Sequence, residues 1–277
     1  MRVGITAFVT DRSLTPSELA RAAEERGFHA LYLPEHTHLP AGEAEPPALV
    51  SGVEIDDYRR TLDPFVALAT AAAVTSRIAL GTGICLVAQH DPIVLAKQIA
   101  TLDHLSGGRF VLGMGYGWNR QEAADHGVAF DQRRQIAHEK LRCMRALWDA
   151  ERAEFHGRFV ELPPAYAWPK PKQPPPVLIG AAAGPRLFAA VAEHADGWMP
   201  IGGAGLGDAV EQLRQAWSDA GRVEAPEVVP FGAIPTEGKL EHFHAVGVTE
   251  VVLRIPVGTS SDVYRTLDDY ARFVTGD

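Results

Sequence analysis

Short apolar segments alternate with longer amphipathic segments along most of the chain. The apolar runs are nearly continuous, which is typical of parallel strands that are covered on both faces. Each run is followed by a segment in which apolar residues recur at helical spacing. The pattern predicts eight strand-then-helix units, with the strands at residues 3–8, 30–33, 77–86, 109–115, 177–180, 197–202, 227–235 and 250–256.

Helix boundaries are marked by local sequence signals. Thr15 and Glu18 have the spacing of a capping box, and Gly27 follows the last turn of the helix that they begin. Further helices are predicted over residues 64–76 and 132–150, where apolar residues recur at helical spacing. The chain therefore has defined helix ends as well as defined strands.

Eight units in 277 residues match a (β/α)8 TIM barrel of the α/β class in number and length. A doubly wound sheet is the alternative, because hydrophobic periodicity does not distinguish the two. Residues 1–277 are predicted to form one barrel domain with insertions after strands two and four. Residues 40–61 have the length of a lid over a substrate, and their DDYRR segment is either an anion contact or a solvated loop. Residues 151–176 combine a hairpin with a Pro-rich stretch.

Charge and cysteine content narrow the classes of partner. The net charge is -9, and no basic run is present, so nucleic acid and anionic membrane surfaces are poor partners. No apolar stretch reaches the length of a membrane span, and the first residues lack the pattern of a signal peptide. Cys85 and Cys143 are far apart, without a CxxC partner, and are interpreted as buried thiols. A cytoplasmic protein is predicted.

In a barrel, chemistry takes place in the loops that follow the strands. Five of the eight predicted strand ends carry Gly or Ala, and together they favour a flat ligand lying close to the backbone. For any single strand end, a tight turn explains a small residue equally well. A planar cofactor is therefore the expectation for the set.

The end of strand two, in the sequence PEHTHLP, brings Glu35, His36 and His38 together. A His-x-His pair can bind a metal, but the ends of strands five, six and eight offer no His or carboxylate to complete a ligand set, so no metal is predicted. An imidazole above a cofactor pocket titrates near neutrality, which makes His36 a candidate acid/base. The alternative is a loop histidine held by Glu35, and His38 is interpreted as a loop residue.

Two other motifs fail on inspection. GMGYGWN resembles a dinucleotide loop, but Trp118 stands where the third glycine of GxGxxG would be. No GxSxG is present, and Ser106 lies in a helix-ending LSGG. Cys85, near a strand end, is interpreted as a small buried hydrophobe rather than a nucleophile.

Several blocks carry a family resemblance. PEHTHLP, RIALGTG, HDPIVLAKQIATLDHLSGGR, GMGYGWNRQE and VLIGAAAGPRLFAAVAEHADGWMP resemble, in this order and spacing, the bacterial luciferase-like monooxygenase superfamily and its F420-dependent oxidoreductase branch. The resemblance implies a (β/α)8 barrel, usually dimeric, that binds FMN or F420 with the ring across the strand ends. It also assigns site residues, named below by their positions in this chain.

The resemblance places the Gly83-Ile84 bond at a bulge that backs the ring and is a non-proline cis peptide in many members. It places His36 on the histidine of an acidic-His pair beside the reactive carbon, with Glu35 where relatives have Asp. The strand-four loop that meets the ring or its side chain corresponds to Trp118, Asn119 and Glu122. The backbone cradles for the phosphate correspond to Ala182, Ala183, Gly184, Gly202 and Gly203.

The function implied is hydride transfer between F420 and a small organic substrate, with His36 and Glu35 as the catalytic pair. The first alternative is an FMN-dependent monooxygenase that uses dioxygen and reduced flavin, with a separate reductase as a potential supplier. The second is a flavin-binding protein without catalysis. A homodimer is expected, while the substrate's identity stays open.

Overall fold

The computed structural model describes residues 1–41 and 53–274. Its helices and strands alternate as the hydrophobic pattern predicts. The strands are β1 (Arg2–Thr6), β2 (Ala30–Leu33), β3 (Ala79–Thr82), β4 (Phe110–Gly115), β5 (Ala153–His156), β6 (Glu161–Ala165), β7 (Val177–Gly180), β8 (Gly197–Trp198), β9 (Glu227–Val228), β10 (Phe231–Ala233) and β11 (Glu250–Arg254). The helices are α1 (Pro16–Glu25), α2 (Ile55–Arg60), α3 (Pro64–Ala72), α4 (Pro92–Ser106), α5 (Arg120–Asp125), α6 (Arg133–Asp149), α7 (Pro185–His194), α8 (Leu206–Asp219), α9 (Glu237–Val246) and α10 (Ser260–Ala271).

The sheet is parallel and closes on itself. Its strand order is β10-β11-β1-β2-β3-β4-β7-β8-β9, and β9 and β10 are separated only by Val229 and Pro230. These two short strands together occupy the seventh position, because Val229 N donates to Trp198 O on one side and Val252 N donates to Pro230 O on the other. Proline has no amide hydrogen, which explains the interruption. The (β/α)8 barrel is confirmed, and the doubly wound alternative is wrong.

The predicted capping box at the start of α1 is confirmed. Thr15 accepts a hydrogen bond from Glu18 N, and Glu18 accepts one from Thr15 N. The helix predicted over residues 64–76 is shorter than expected, since α3 ends at Ala72. The Glu24 carboxylate accepts hydrogen bonds from the amides of residues 76–78 and turns the chain into β3.

The insertions after strands two and four differ in how far they follow the prediction. The hairpin in residues 151–176 is present, as the antiparallel pair β5 and β6. The DDYRR segment, in contrast, is helical, and Arg60 forms ion pairs with Asp11 and Asp56. Residues 42–52, half of the proposed lid, lie outside the described residues. Among the described helices, none has the length and apolarity needed to cross a membrane.

A carboxyl group is buried at the amino-terminal end of the barrel. Glu250 is 3% exposed, and its Oε1 has no hydrogen-bond partner among the described residues. Its Oε2 lies 3.5 Å from the Tyr32 hydroxyl and 3.8 Å from Arg2 Nε. Burial raises the pKa of Glu250 from its ordinary value of 4.5 to about 7, although the positive charge of Arg2 acts to lower it.

This buried carboxyl gives a pH dependence of stability. Between pH 4.5 and about 7, folded Glu250 keeps a proton that the unfolded chain has lost, so its contribution falls as pH rises through this range. The loss is up to roughly 3 kcal/mol. We expect Glu250→Gln to remove it, as measured by urea unfolding at pH 5 and pH 8. Glu241→Gln, which removes an exposed carboxylate on α9 that is not among the charges acting on Glu250, is the control. An unchanged pH dependence in Glu250→Gln would contradict this role.

Candidate active site

A cavity of about 480 Å³ opens at the carboxyl ends of the barrel strands. Its wall is built from the segments that follow β1, β2, β3, β4, β7 and β8, together with α2, the start of α6 and Phe231 of β10. Nine of the twelve site residues expected from the resemblance line it, namely Glu35, His36, Gly83, Ile84, Trp118, Ala182, Ala183, Gly202 and Gly203.

The Gly83-Ile84 peptide bond is cis, as the resemblance implies. A Cβ on Gly83 would lie 2.3 Å from Phe231 Cε2, so only glycine fits against that ring. The side chain of Ile84 in turn occupies the space that a Cβ on Gly115 or Gly180 would need, at 2.7 and 2.8 Å. The small residues at these two strand ends are therefore required by Ile84, and not by a ligand alone.

His36 is held by a buried carboxylate. Its Nδ1 lies 3.0 Å from Oε2 and 3.2 Å from Oε1 of Glu122, which is fully buried at the start of α5. Glu122 also accepts a hydrogen bond from Thr37 N at 3.3 Å. With a proton on Nδ1 shared with this carboxylate, the lone pair of the neutral ring is on Nε2, which has no hydrogen-bond partner among the described residues. Nδ1 of His36 is therefore held by Glu122, while Nε2 is available to accept a hydrogen bond or a proton.

The aromatic residues around His36 restrict its ring further. Tyr58 of α2 and Trp118 pack against it edge-on, with ring centroids 5.2 and 5.8 Å away. Asn119 caps α5 by accepting hydrogen bonds from Gln121 N and Glu122 N, both at 3.0 Å. Neither Asn119 nor Glu122 lines the cavity. Both act from behind the wall, since Asn119 caps the helix that carries Glu122 and Glu122 holds His36.

Glu35 does not pair with His36. Its carboxylate accepts hydrogen bonds from Leu86 N at 2.5 Å and from His90 Nε2 at 2.7 Å. Burial acts to lower the pKa of His90, but the hydrogen bond and charge of Glu35 outweigh it and raise that pKa. The interpretation of His36 as a loop histidine held by Glu35 is therefore wrong, because Glu122 holds it.

Glu35, Cys85 and His90 bring potential metal-ligating atoms within 4.8 Å of one another. Their hydrogen bonds account for this arrangement without an ion. Burial, together with the charge of Glu35, raises the pKa of Cys85 well above its ordinary value, so the thiol is neutral. His38, the other histidine of the strand-two sequence, is bound to Asp125 at the surface.

The far end of the cavity lies at the starts of α7 and α8. Gly184 and Gly205 precede these helices, and neither offers a side-chain cap to the first-turn amides. Such amides are available to an anion. Gly202 has φ 69°, and a Cβ built on it would meet nothing within 4 Å, so this glycine faces open space. Gly184 itself is outside the cavity wall.

Four ionisable wall residues were not among the site residues predicted from the sequence. They are Tyr58, Tyr116, Arg133 and Arg134. Tyr58 lies in the DDYRR segment and Tyr116 in GMGYGWN, but neither was assigned to the site. For Arg133 and Arg134, the signal was a pair of adjacent cations at the start of a predicted helix.

Comparisons with known proteins concern the family and the fold. A family model of luciferase-like monooxygenases matches residues 15–236. The uncharacterized protein Rv0953c of Mycobacterium tuberculosis is 45% identical over 278 aligned positions, 99% of this chain and 96% of that protein. The F420-dependent glucose-6-phosphate dehydrogenase of Kineococcus radiotolerans is 30% identical over 216 positions, 75% of this chain and 59% of that enzyme.

Among solved structures, the monooxygenase RslO1 from Streptomyces bottropensis superposes with a TM-score of 0.79. The alignment covers 98% of both chains at 21% identity, so the likeness concerns the fold. The family match spans most of the chain and includes every cavity-lining residue except Phe8. The chain therefore belongs to the luciferase-like monooxygenase family and is an oxidoreductase.

Proposed function

We propose that this oxidoreductase transfers a hydride between F420 and a small organic substrate, with His36 as the acid/base. The observation that carries the proposal is the His36 ring, which lines the same cavity as the Gly83-Ile84 peptide while buried Glu122 holds its Nδ1. The relative named as an F420-dependent glucose-6-phosphate dehydrogenase supports the choice of cofactor.

The residues of the cavity fit a flat cofactor with an anionic tail. Its volume of about 480 Å³ is within the range of roughly 300–1,000 Å³ for ligand sites. Gly83, Ile84 and Trp118 would contact the ring. The backbone around the starts of α7 and α8 would hold the phosphate, through Ala182, Ala183, Gly184, Gly202 and Gly203.

The side chains of this site have separate tasks. Bound F420 supplies a carbon that carries two electrons as a hydride. His36 accepts or donates a proton at Nε2, and the Glu122 carboxylate stabilises the ring when it is charged. Tyr58 and Trp118 keep water away from His36. Glu35 contributes by anchoring the chain between β2 and the turn at Leu86.

An FMN-dependent monooxygenase is the second candidate, supported by the family description and by the fold of RslO1. A flavin-binding protein without catalysis is the third candidate, and it would leave the unpaired Nε2 of His36 in the cavity wall without a role. A cytoplasmic location and a separate reductase stay predictions. So does the homodimer, for which exposed Val66 of α3 and Ile93 and Val94 of α4 offer an apolar surface.

Equilibrium titrations with F420 and FMN test the choice of cofactor. We expect one F420 to bind per chain, at least roughly tenfold more tightly than FMN. Binding is measured from the quenching of fluorescence. Ala183→Trp, which fills the cavity, should weaken binding by at least about tenfold, whereas Ala189→Trp on the exposed side of α7 should not. Tight binding of FMN alone would favour the monooxygenase, and binding of neither would contradict the proposal.

A further inference from the structure

Two adjacent cations stand in the wall of the cavity. Arg133 and Arg134, in the first turn of α6, line it together with Tyr116. The same wall contains the carboxylate of Glu35, which already accepts hydrogen bonds from Leu86 N and His90 Nε2. In a chain with a net charge of -9, this wall therefore carries positive charge that the protein leaves uncompensated.

Neither guanidinium has a carboxylate partner within 4.0 Å among the described residues. Arg133 donates from Nη1 to Phe130 O at 2.7 Å and stacks on the Phe130 ring at 3.6 Å, while its Nε is buried without a partner. Arg134 lies over the Tyr116 ring at 4.9 Å. Stacking on aromatic faces orients the planar donors of both side chains and leaves them free to bind.

The surroundings add to the positive charge. Arg120 also lies over the Phe130 ring, at 4.4 Å, and its partner Asp131 is exposed and 3.7 Å away. Burial, followed by repulsion from Arg134 and Arg120, lowers the pKa of Arg133. Partly desolvated cations that repel one another are unfavourable unless an anion offsets them.

We propose that Arg133 and Arg134 form an anion subsite that holds a phosphate or carboxylate of a ligand in the cavity. The subsite is separate from the amides at the starts of α7 and α8. It rests on the proposed function only in taking this cavity as the ligand site. The anion belongs either to the tail of the cofactor or to the substrate, and paired guanidinium groups suit both, since their N–H donors bind such oxygens in bidentate fashion.

Three ligands separate these sources: F420, the same deazaflavin lacking its phosphate and glutamate tail, and inorganic phosphate. Arg134→Gln is the main variant, because Arg134 is exposed and its loss should leave the fold intact. Arg133→Gln is the second variant. Arg265→Gln on α10 is the control, since it removes the same charge far from the cavity.

If the anion is on the cofactor, Arg134→Gln should weaken F420 binding roughly tenfold and leave the tailless ligand unaffected. If it is on the substrate, neither affinity should change, but the rise in melting temperature that inorganic phosphate gives the wild type should be lost. Either outcome supports the subsite, and both effects should weaken with added salt.

The proposal is overturned if the Arg133 and Arg134 variants match the Arg265 variant in all three measurements. Failure of the wild type to bind either deazaflavin would instead count against the proposed function. In that case the melting experiment with phosphate still decides whether the arginine pair binds an anion.

Discussion

Replacing His36 with alanine is expected to lower turnover by roughly 10²–10⁴-fold while F420 affinity stays within a few-fold of the wild type. The imidazole is 7% exposed in its side chain, is oriented by Glu122 and lines the cavity. Its loss would remove the proposed proton donor or acceptor and leave the other residues proposed to contact the cofactor in place. Turnover is measured from the absorbance of F420 with any substrate that the wild type accepts, and affinity by titration.

His38→Ala is the matched control for this experiment. His38 lies two positions away, is exposed and bonds Asp125 at the surface, so its replacement should leave turnover unchanged. Wild-type turnover in His36→Ala would remove His36 from the mechanism. Equal losses in both variants would indicate a general disturbance of the loop after β2.

Glu122→Gln is expected to lower turnover by roughly 10²-fold, because a positioning carboxylate fixes both the tautomer and the charge of its histidine. The glutamine amide can donate to His36 Nδ1, which would move the ring proton to Nε2 and remove the base. It also removes the negative charge that stabilises a protonated ring. The shape of the side chain and the hydrogen bond from Thr37 N can both be kept.

The position of the His36 ring proton distinguishes this role of Glu122 from a purely structural one. Nitrogen NMR of the neutral form should place it on Nδ1 in the wild type and on Nε2 in Glu122→Gln. Glu122→Asp, which keeps a carboxylate, should recover part of the turnover. Unchanged turnover and an unchanged tautomer in Glu122→Gln would show that the pair does not act as a unit.

The barrel could be predicted from the sequence because its strands are buried on both faces and are therefore nearly continuous apolar runs. The seventh strand was predicted as one segment, 227–235. In the structure it is divided around Pro230, which interrupts the hydrogen bonds of the sheet only locally. The early end of α3 was missed, and the segment that follows it is held by Glu24, a residue from another unit. The hydrophobic periodicity of one segment does not report its contacts with other strand-then-helix units.

The site was predictable in its location but less so in its pairings. Adjacent residues suggested a Glu35–His36 pair, yet successive side chains at a strand end point in different directions, so Glu35 reaches His90 and His36 reaches Glu122. The partners lie 55 and 86 positions along the chain. Arg133 and Arg134 were overlooked, because their place in the wall follows from how α6 packs.

A crystal structure of the protein with bound F420 tests the central claim most directly. The deazaflavin ring is expected in the cavity, against the Gly83-Ile84 peptide, with His36 Nε2 facing its reactive carbon and Nδ1 still bound to Glu122. A ring bound elsewhere on the barrel, or one that displaces His36 from the cavity, would contradict the proposed function.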